Sequence, residues 1–239
     1  PKVLQSLAGR PLLAHVLDTA EALKPEQIVV VFGYGGEQVR EYFADRELNW
    51  VEQAQQLGTG HAVQQAMPCV DANHTVLIMS GDVPLVRLET VRNLASAAGD
   101  QNLALLTVDA EDAAGYGRIV RGGAGEVLAI VEERDATVDQ RKIKEINTGL
   151  LACPARLLGP WLDALKAKNV QGEYYLTDIV SSAVAAGVGV NAVSVKSETE
   201  VMGINDKLQL AQAERACQAR IADELMLSGV TLADPQRID

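Results

Sequence analysis

Apolar positions along the chain follow two different periods, and the two alternate. Over residues 11–22, Leu12, Leu13, Val16 and Leu17 recur at helical spacing, which predicts an amphipathic helix. Ile28-Val29-Val30-Val31-Phe32 is a continuous apolar run, the pattern of a strand buried on both faces. Gly33, Gly35 and Gly36 break the chain before a second helix near 37–44. Val76-Leu77-Ile78-Met79 predicts another buried strand, residues 88–98 a helix, and Leu103-Ala104-Leu105-Leu106-Thr107-Val108 a third strand. Strand, helix, strand in this order implies parallel strands joined by crossovers, a doubly wound α/β sheet.

The texture changes after residue 110. Arg118-Ile119-Val120 and Val127-Leu128-Ala129-Ile130-Val131 flank Gly122, Gly123 and Gly125, as in a hairpin. Residues 145–152 predict a strand, 155–166 and 177–186 helices, and 190–195 a strand. The middle third therefore reads as a mixed insertion covering one end of the sheet. Residues 206–228 form one long helical pattern through Leu208, Leu210, Ala211, Ala213, Ala216 and Ile221. Asp206 suits the helix N-terminus and Gly229 its end. Such a helix serves as an arm toward a further domain or packs on its own.

Composition narrows the function. With 239 residues, 48% hydrophobic and 22% charged, the chain can bury a core and is not expected to be disordered. A net charge of −11 excludes a general nucleic-acid binder and disfavours an anionic membrane surface. No apolar run approaches the roughly 18 residues that span a bilayer. Pro1-Lys2-Val3-Leu4 does not open a secretory signal, so a cytoplasmic location is expected. Cys69, Cys153 and Cys217 are distant from one another, and are expected as buried small apolar residues in a reducing compartment. Three histidines without HxH or HExxH spacing make a zinc site improbable. Because Pro1 is not an initiator methionine, residues are expected upstream.

Two segments carry the clearest chemistry. Ser80-Gly81-Asp82-Val83-Pro84-Leu85 follows a buried strand, and ligands of open α/β sheets gather at the carboxyl ends of strands. Asp82 there suits Mg²⁺, a hard cation held by one or two carboxylates plus substrate phosphates. A simple cap of the next turn or helix is the plainer alternative. Gln53-Ala54-Gln55-Gln56-Leu57-Gly58-Thr59-Gly60-His61-Ala62 opens a helix with a Gly-Thr-Gly turn, suited to an anion or a nucleotide edge. No GK[ST] follows, so it is not a P-loop. Gln53 carries a donor and an acceptor and could read a pyrimidine edge. An ordinary helix cap explains the turn equally well, and His61 reads as structural. Lys2, the Gly115–Arg118 turn, Glu132-Glu133 and the tyrosines at 174 and 175 are each ordinary in isolation. Asn147 is odder, a polar amide among apolar strand residues that needs a partner.

Taken in order, PKVL at 1–4, QAQQLGTGHA at 53–62, GDVPL at 81–85, GYGRI at 115–119, EINTG at 145–149, GEYYLTD at 172–178 and GIND at 203–206 resemble one family. It is the sugar-phosphate nucleotidyltransferases, with closest similarity to the bacterial bifunctional N-acetylglucosamine-1-phosphate uridyltransferases/glucosamine-1-phosphate acetyltransferases. The resemblance covers almost the whole chain. It implies a Rossmann-like doubly wound mixed sheet of the nucleotide-diphospho-sugar transferase type. It also implies Mg²⁺-dependent conversion of UTP and N-acetylglucosamine 1-phosphate to UDP-N-acetylglucosamine and pyrophosphate, which feeds peptidoglycan and lipopolysaccharide synthesis.

By the same resemblance, Asp82 and Asn205 hold Mg²⁺ and Lys2 lies on phosphate, these three forming the catalytic set. Gln53, Gly58 and Thr59 take the uridine, while Ser80 and Gly81 line the nucleotide side. Gly117, Glu132, Asn147 and Asn205 contact the sugar or its N-acetyl group, with Tyr174 and Thr177 as lesser contacts on the sugar-phosphate side.

The family's first strand and Gly-rich loop, LAAGxGTRM, would precede Pro1. Without them the sheet lacks a strand and the chain as written is expected to be inactive. Residues 1–205 are expected as the transferase domain, and 206–239 as helix and linker toward an acetyltransferase β-helix. The parent is expected to be a homotrimer and the piece alone a monomer. The alternatives are a transferase for another nucleotide or sugar phosphate, or a non-catalytic nucleotide-sugar-binding domain.

Overall fold

The computed structural model describes residues 1–237. A short hairpin, β1 (Ser6–Leu7) and β2 (Arg10–Pro11), leads into α1 (Leu12–Ala22). Then come β3 (Val29–Phe32), α2 (Gly36–Tyr42), β4 (Asn49–Glu52), α3 (Thr59–Ala66), β5 (Thr75–Ile78), α4 (Leu88–Ala98) and β6 (Leu103–Asp109). The hairpin β7 (Arg118–Arg121) and β8 (Val127–Val131) is followed by β9 (Glu145–Pro154), α5 (Ala155–Asp163) and α6 (Asp178–Ala185). The chain ends through β10 (Val190–Val195), α7 (Glu198–Val201) and α8 (Lys207–Leu227).

The main sheet is mixed and runs β10-β6-β9-β7-β8, with β5 also on β9. β10 is parallel to β6, while β9 runs antiparallel to both β5 and β6. The middle third thus does more than cover one end of the sheet, as the sequence pattern suggested. Its ten-residue β9 lies inside the sheet, between β6 on one side and β5 and β7 on the other.

Strand alternation divides the core into two layers. Leu103, Leu105, Leu151 and Cys153 face α5 and α6 through Leu158, Leu162, Ile179 and Ala183. Ala104, Leu106, Leu150 and Ala152 face α4 through Val91, Leu94 and Ala98. Helices on both faces explain why six of the seven residues of β6 are buried.

β3 and β4 form a separate parallel pair. A cavity of about 1200 Å³ separates it from the main sheet, lined by Val29–Phe32 on one wall and Thr75–Ile78 on the other. Among the described residues, β3 pairs only with β4, and β5 only with β9. The two runs expected to be buried on both faces are therefore only half-buried, because each borders this opening. β4 has no clear sequence signature, since only Trp50 and Val51 mark its four residues.

The long helix α8 packs on its own domain, placing Ala213 and Cys217 against Leu7, Leu12, Leu85 and Ile204. Glu214 accepts from the Ala8 N–H at 2.8 Å. Leu208 and Leu227 remain exposed. Cys153 and Cys217 are buried as expected, and burial pushes the Cys153 thiol up to about 12. Cys69 corrects the expectation. It is exposed because it closes a surface 3-10 turn, Met67–Cys69, at the end of α3.

Native-state hydrogen exchange should resolve the two sheets. β6 and β9 amides should exchange last, and those of β3 and β4 should open at a free energy lower by on the order of 2 kcal/mol. Equal protection of the two sets would contradict this account of the gap.

Candidate active site

Three residues far apart in sequence meet beyond the end of β5. The Ser80–Val83 turn closes with Val83 N–H on the Ser80 carbonyl at 3.2 Å, and buried Val83 and Leu85 anchor its exit. The Asp82 carbonyl accepts from the Ile204 N–H at 2.9 Å, tying this turn to the segment before α8. Asp206 caps α8 by accepting from the Gln209 N–H at 2.8 Å, and the Asn205 N–H donates to Gln209 Oε1 at 2.6 Å. Asn205 is thereby held between a backbone clamp and a helix cap. Into this corner comes Lys2. Its Nζ lies 2.5 Å from Asp82 Oδ2 and 2.9 Å from Asn205 Oδ1. A carboxylate oxygen and an amide oxygen so directed at one cationic centre are a donor set that fits Mg²⁺.

A second group forms where β4 gives way to α3. The Gln53 N–H donates to the Phe32 carbonyl at 2.7 Å. Its side-chain Nε2 donates to the Gly58 carbonyl at 3.0 Å and lies 3.0 Å from His61 Nδ1. Its Oε1 accepts no hydrogen bond among the described residues. Gly58 has φ of +112°, and a Cβ there would lie 2.7 Å from the Tyr174 carbonyl oxygen. That closeness arises because this loop is laced to 174–176. Gly60 N–H donates to Tyr174 O at 2.8 Å, Tyr174 N–H to Leu57 O at 2.8 Å, and Leu176 N–H to Thr59 Oγ1 at 3.2 Å.

A third group lies on the mixed strands. The Asn147 N–H donates to the Gly117 carbonyl at 2.8 Å. Asn147 Oδ1 is buried and meets no donor among the described residues. A buried acceptor without a partner is costly, and here it lines the cavity where a ligand could supply one. The Thr177 hydroxyl donates to Glu132 Oε1 at 2.8 Å. Burial pushes the Glu132 carboxyl above the usual range, with Asp178 and Asp135 adding to the effect.

Of the residues expected at a site, Lys2, Ser80 and Gly81 line the cavity from one side, and Gly117, Glu132, Asn147 and Thr177 from the other. Thr59 joins them, with Gln53 and Gly58 behind it in the same loop. Asp82 and Asn205 sit beside Lys2. Tyr174 stands apart from the Glu132–Thr177 group, its backbone bonded to the Leu57–Gly60 loop.

His61, read as structural, lies beside the Gln53 side chain. Sequence reasoning passed over one support. Arg118 is almost fully buried; it donates to the Tyr116 carbonyl and to Glu133 Oε2, the latter at 2.6 Å. It thus joins the Gly115–Gly117 turn to the Glu132–Glu133 corner. A charged residue opening an apolar run was its available signal.

With this geometry described, the chain can be placed: it belongs to the MobA-like NTP transferase domains, whose family matches residues 1–171, and is thus a nucleotidyltransferase domain. More particularly, its whole length is 52% identical to the bifunctional protein GlmU of Paraburkholderia phymatum over 239 residues, 53% of that protein. It is 54% identical to the GlmU of Nitrosomonas europaea over 241 residues, again 53% of that protein. The chain spans about half the length of these proteins. The fold is shared with HddC from Yersinia pseudotuberculosis, solved with GMP-PN. There the TM-score is 0.64 and the identity 16%, covering 91% of this chain and 90% of that one.

Two outcomes check the site's construction. Gly58→Ala should lower the denaturation free energy by about 2 kcal/mol or more, through its positive φ and the Tyr174 backbone; an unchanged urea midpoint would refute the lacing. Glu132 titrates in the opposite sense to a paired carboxylate. Its raised value means its contribution to stability is complete below the ordinary carboxylate range and is lost as pH rises through the folded value. Glu132→Gln, which keeps an acceptor for Thr177, should therefore flatten the fall in melting temperature between acidic and neutral pH.

Proposed function

We propose that this domain, within the full-length protein, carries out Mg²⁺-dependent uridylyl transfer from UTP to N-acetylglucosamine 1-phosphate, giving UDP-N-acetylglucosamine and pyrophosphate. The observation that carries this reading is the convergence of Lys2 Nζ, Asp82 Oδ2 and Asn205 Oδ1 within 2.9 Å beside a ligand-sized cavity. The name GlmU borne by its relatives supports the choice of family branch.

In the proposed reaction a sugar-phosphate oxygen attacks the α-phosphorus of UTP in line. A P–O bond forms there, and the bond to the bridging oxygen breaks with its electron pair leaving on pyrophosphate. Little covalent work falls to the protein, so positioning and charge dominate. Asp82 and Asn205 would hold Mg²⁺, which supplies charge neutralisation across phosphate oxygens. The Lys2 ammonium would pair with phosphate. Gln53, whose Nε2 is bonded to the Gly58 carbonyl, would offer its Oε1 to the N3–H of uracil and disfavour cytosine, which carries an acceptor there. Gly58 and Thr59 would complete the uridine site, with Ser80 and Gly81 along the nucleotide. Asn147 Oδ1 suits the N–H of an N-acetyl group. Glu132 suits a sugar hydroxyl, supported by Thr177 and approached past Gly117. Tyr174 would act through the loop it braces.

For the parent protein we propose a second activity, acetylation of glucosamine 1-phosphate, together with a cytoplasmic location and a homotrimer. No helix among the described residues is long and apolar enough to cross a membrane.

The test is pyrophosphate release by the full-length gene product with Mg²⁺, UTP and N-acetylglucosamine 1-phosphate, run beside CTP, GTP and glucose 1-phosphate. Release with the first pair alone is expected. Release with another pair would overturn the base or sugar assignment. No release from folded protein would favour a non-catalytic nucleotide-sugar-binding role.

A further inference from the structure

We propose that Lys2 is a built-in occupant of the divalent-cation position, so that metal loads more readily where a phosphate draws the lysine away. The proposal rests on the reading of Asp82 and Asn205 as metal ligands.

Four observations converge. First, the ammonium lies between the two oxygens that would hold the ion, 2.5 Å from one and 2.9 Å from the other. A divalent ion on the same oxygens would meet Nζ at contact distance, so the two cations exclude each other. Second, no group of three or more His, Cys, Asp or Glu able to hold a metal forms among the described residues. A metal here would take Asp82 and Asn205 from the protein and complete its shell with water or with oxygens that the substrate brings. The Asp82 charge is already balanced by Lys2.

Third, the mobile partner is the lysine. Its side chain is 39% exposed and carries a compact charge on a flexible stem. The backbones that carry the two oxygens are held, because the Asp82 carbonyl accepts from the Ile204 N–H and the Asn205 N–H donates to Gln209 Oε1. Withdrawing the ammonium thus leaves both ligand-bearing segments in place. Fourth, Lys2 also lines the large cavity, so an anion entering there can accept its hydrogen bonds.

The consequence is coupling. Metal alone must displace the ammonium without offering it a new partner. A metal accompanied by a triphosphate provides that partner in the same event. Metal and nucleotide therefore favour one another at this site through the lysine they share. Lys2 has two successive roles on this account, counter-ion of the ligands and then counter-ion of phosphate.

Mn²⁺ binding to this chain without nucleotide tests the idea, read by the electron paramagnetic resonance signal of free Mn²⁺. Lys2→Met should tighten Mn²⁺ binding on the order of tenfold, and Lys2→Gln should shift it in the same direction. UTP should improve Mn²⁺ binding more in the wild type than in Lys2→Met. If Lys2→Met binds Mn²⁺ no more tightly than wild type while Asp82→Asn weakens it, the ligand assignment stands and the placeholder role is refuted. If Asp82→Asn leaves Mn²⁺ binding unchanged in both backgrounds, the ligand assignment itself fails and the proposal falls with it.

Discussion

β9 bonds to β6 along one side and to β5 and β7 along the other, and most of the site is set by this one strand. Thr148 donates its hydroxyl to the Leu106 carbonyl at 2.9 Å, fixing the strand across the sheet. One residue earlier, Asn147 faces the cavity. One residue later, Gly149 has φ of +82°, and a Cβ there would stand 3.1 Å from Ser80 Oγ. Within three residues β9 therefore places a cavity amide and permits close approach of the Ser80 turn. A register slip of one residue would move Asn147 to the opposite face. The buried residues on both sides of β9 hold the register.

Charge is arranged locally against the chain's own balance. The net charge of −11 opposes anionic substrates at long range. At short range, Lys2 faces Asp82 and two loops present backbone N–H groups or amide side chains. Where carboxylates do line the cavity, burial raises Glu132, so its proton is held more strongly than an exposed carboxyl's. Tyr116, near enough to feel Asp82, is likewise pushed up, chiefly by burial.

Much of the fold was legible because periodicity reports burial. Helix α4 and strands β6 and β10 fall where the pattern put them, and the Asp82 turn was recognisable as a strand end. The motif order pointed to the family. What escaped has physical reasons. β9 reads as a strand, but its place inside the sheet depends on non-local pairing that no local pattern encodes. The half-burial of Val29–Phe32 follows from the cavity beside them, while the sequence shows only an apolar run. Cys69 reads like any small apolar residue until its turn is located. Arg118 resembles a surface charge, although its guanidinium is buried between two loops. The contact of Lys2 with Asp82 spans 80 residues and with Asn205 spans 203, beyond any spacing rule.

The same contrast separates stiff from adjustable parts of the site. The Leu57–Gly60 loop is laced by backbone hydrogen bonds and by a glycine with no room for a side chain, so its shape is set before any ligand arrives. Such preorganisation favours discrimination, because a mismatched base edge meets a group that cannot turn to suit it. The Lys2 corner is built differently. The segments carrying Asp82 and Asn205 are held through their backbones, and one long side chain between the two oxygens is free to leave. A rigid reader beside an exchangeable cation suits a substrate whose base must be recognised and whose phosphates must be neutralised only after entry.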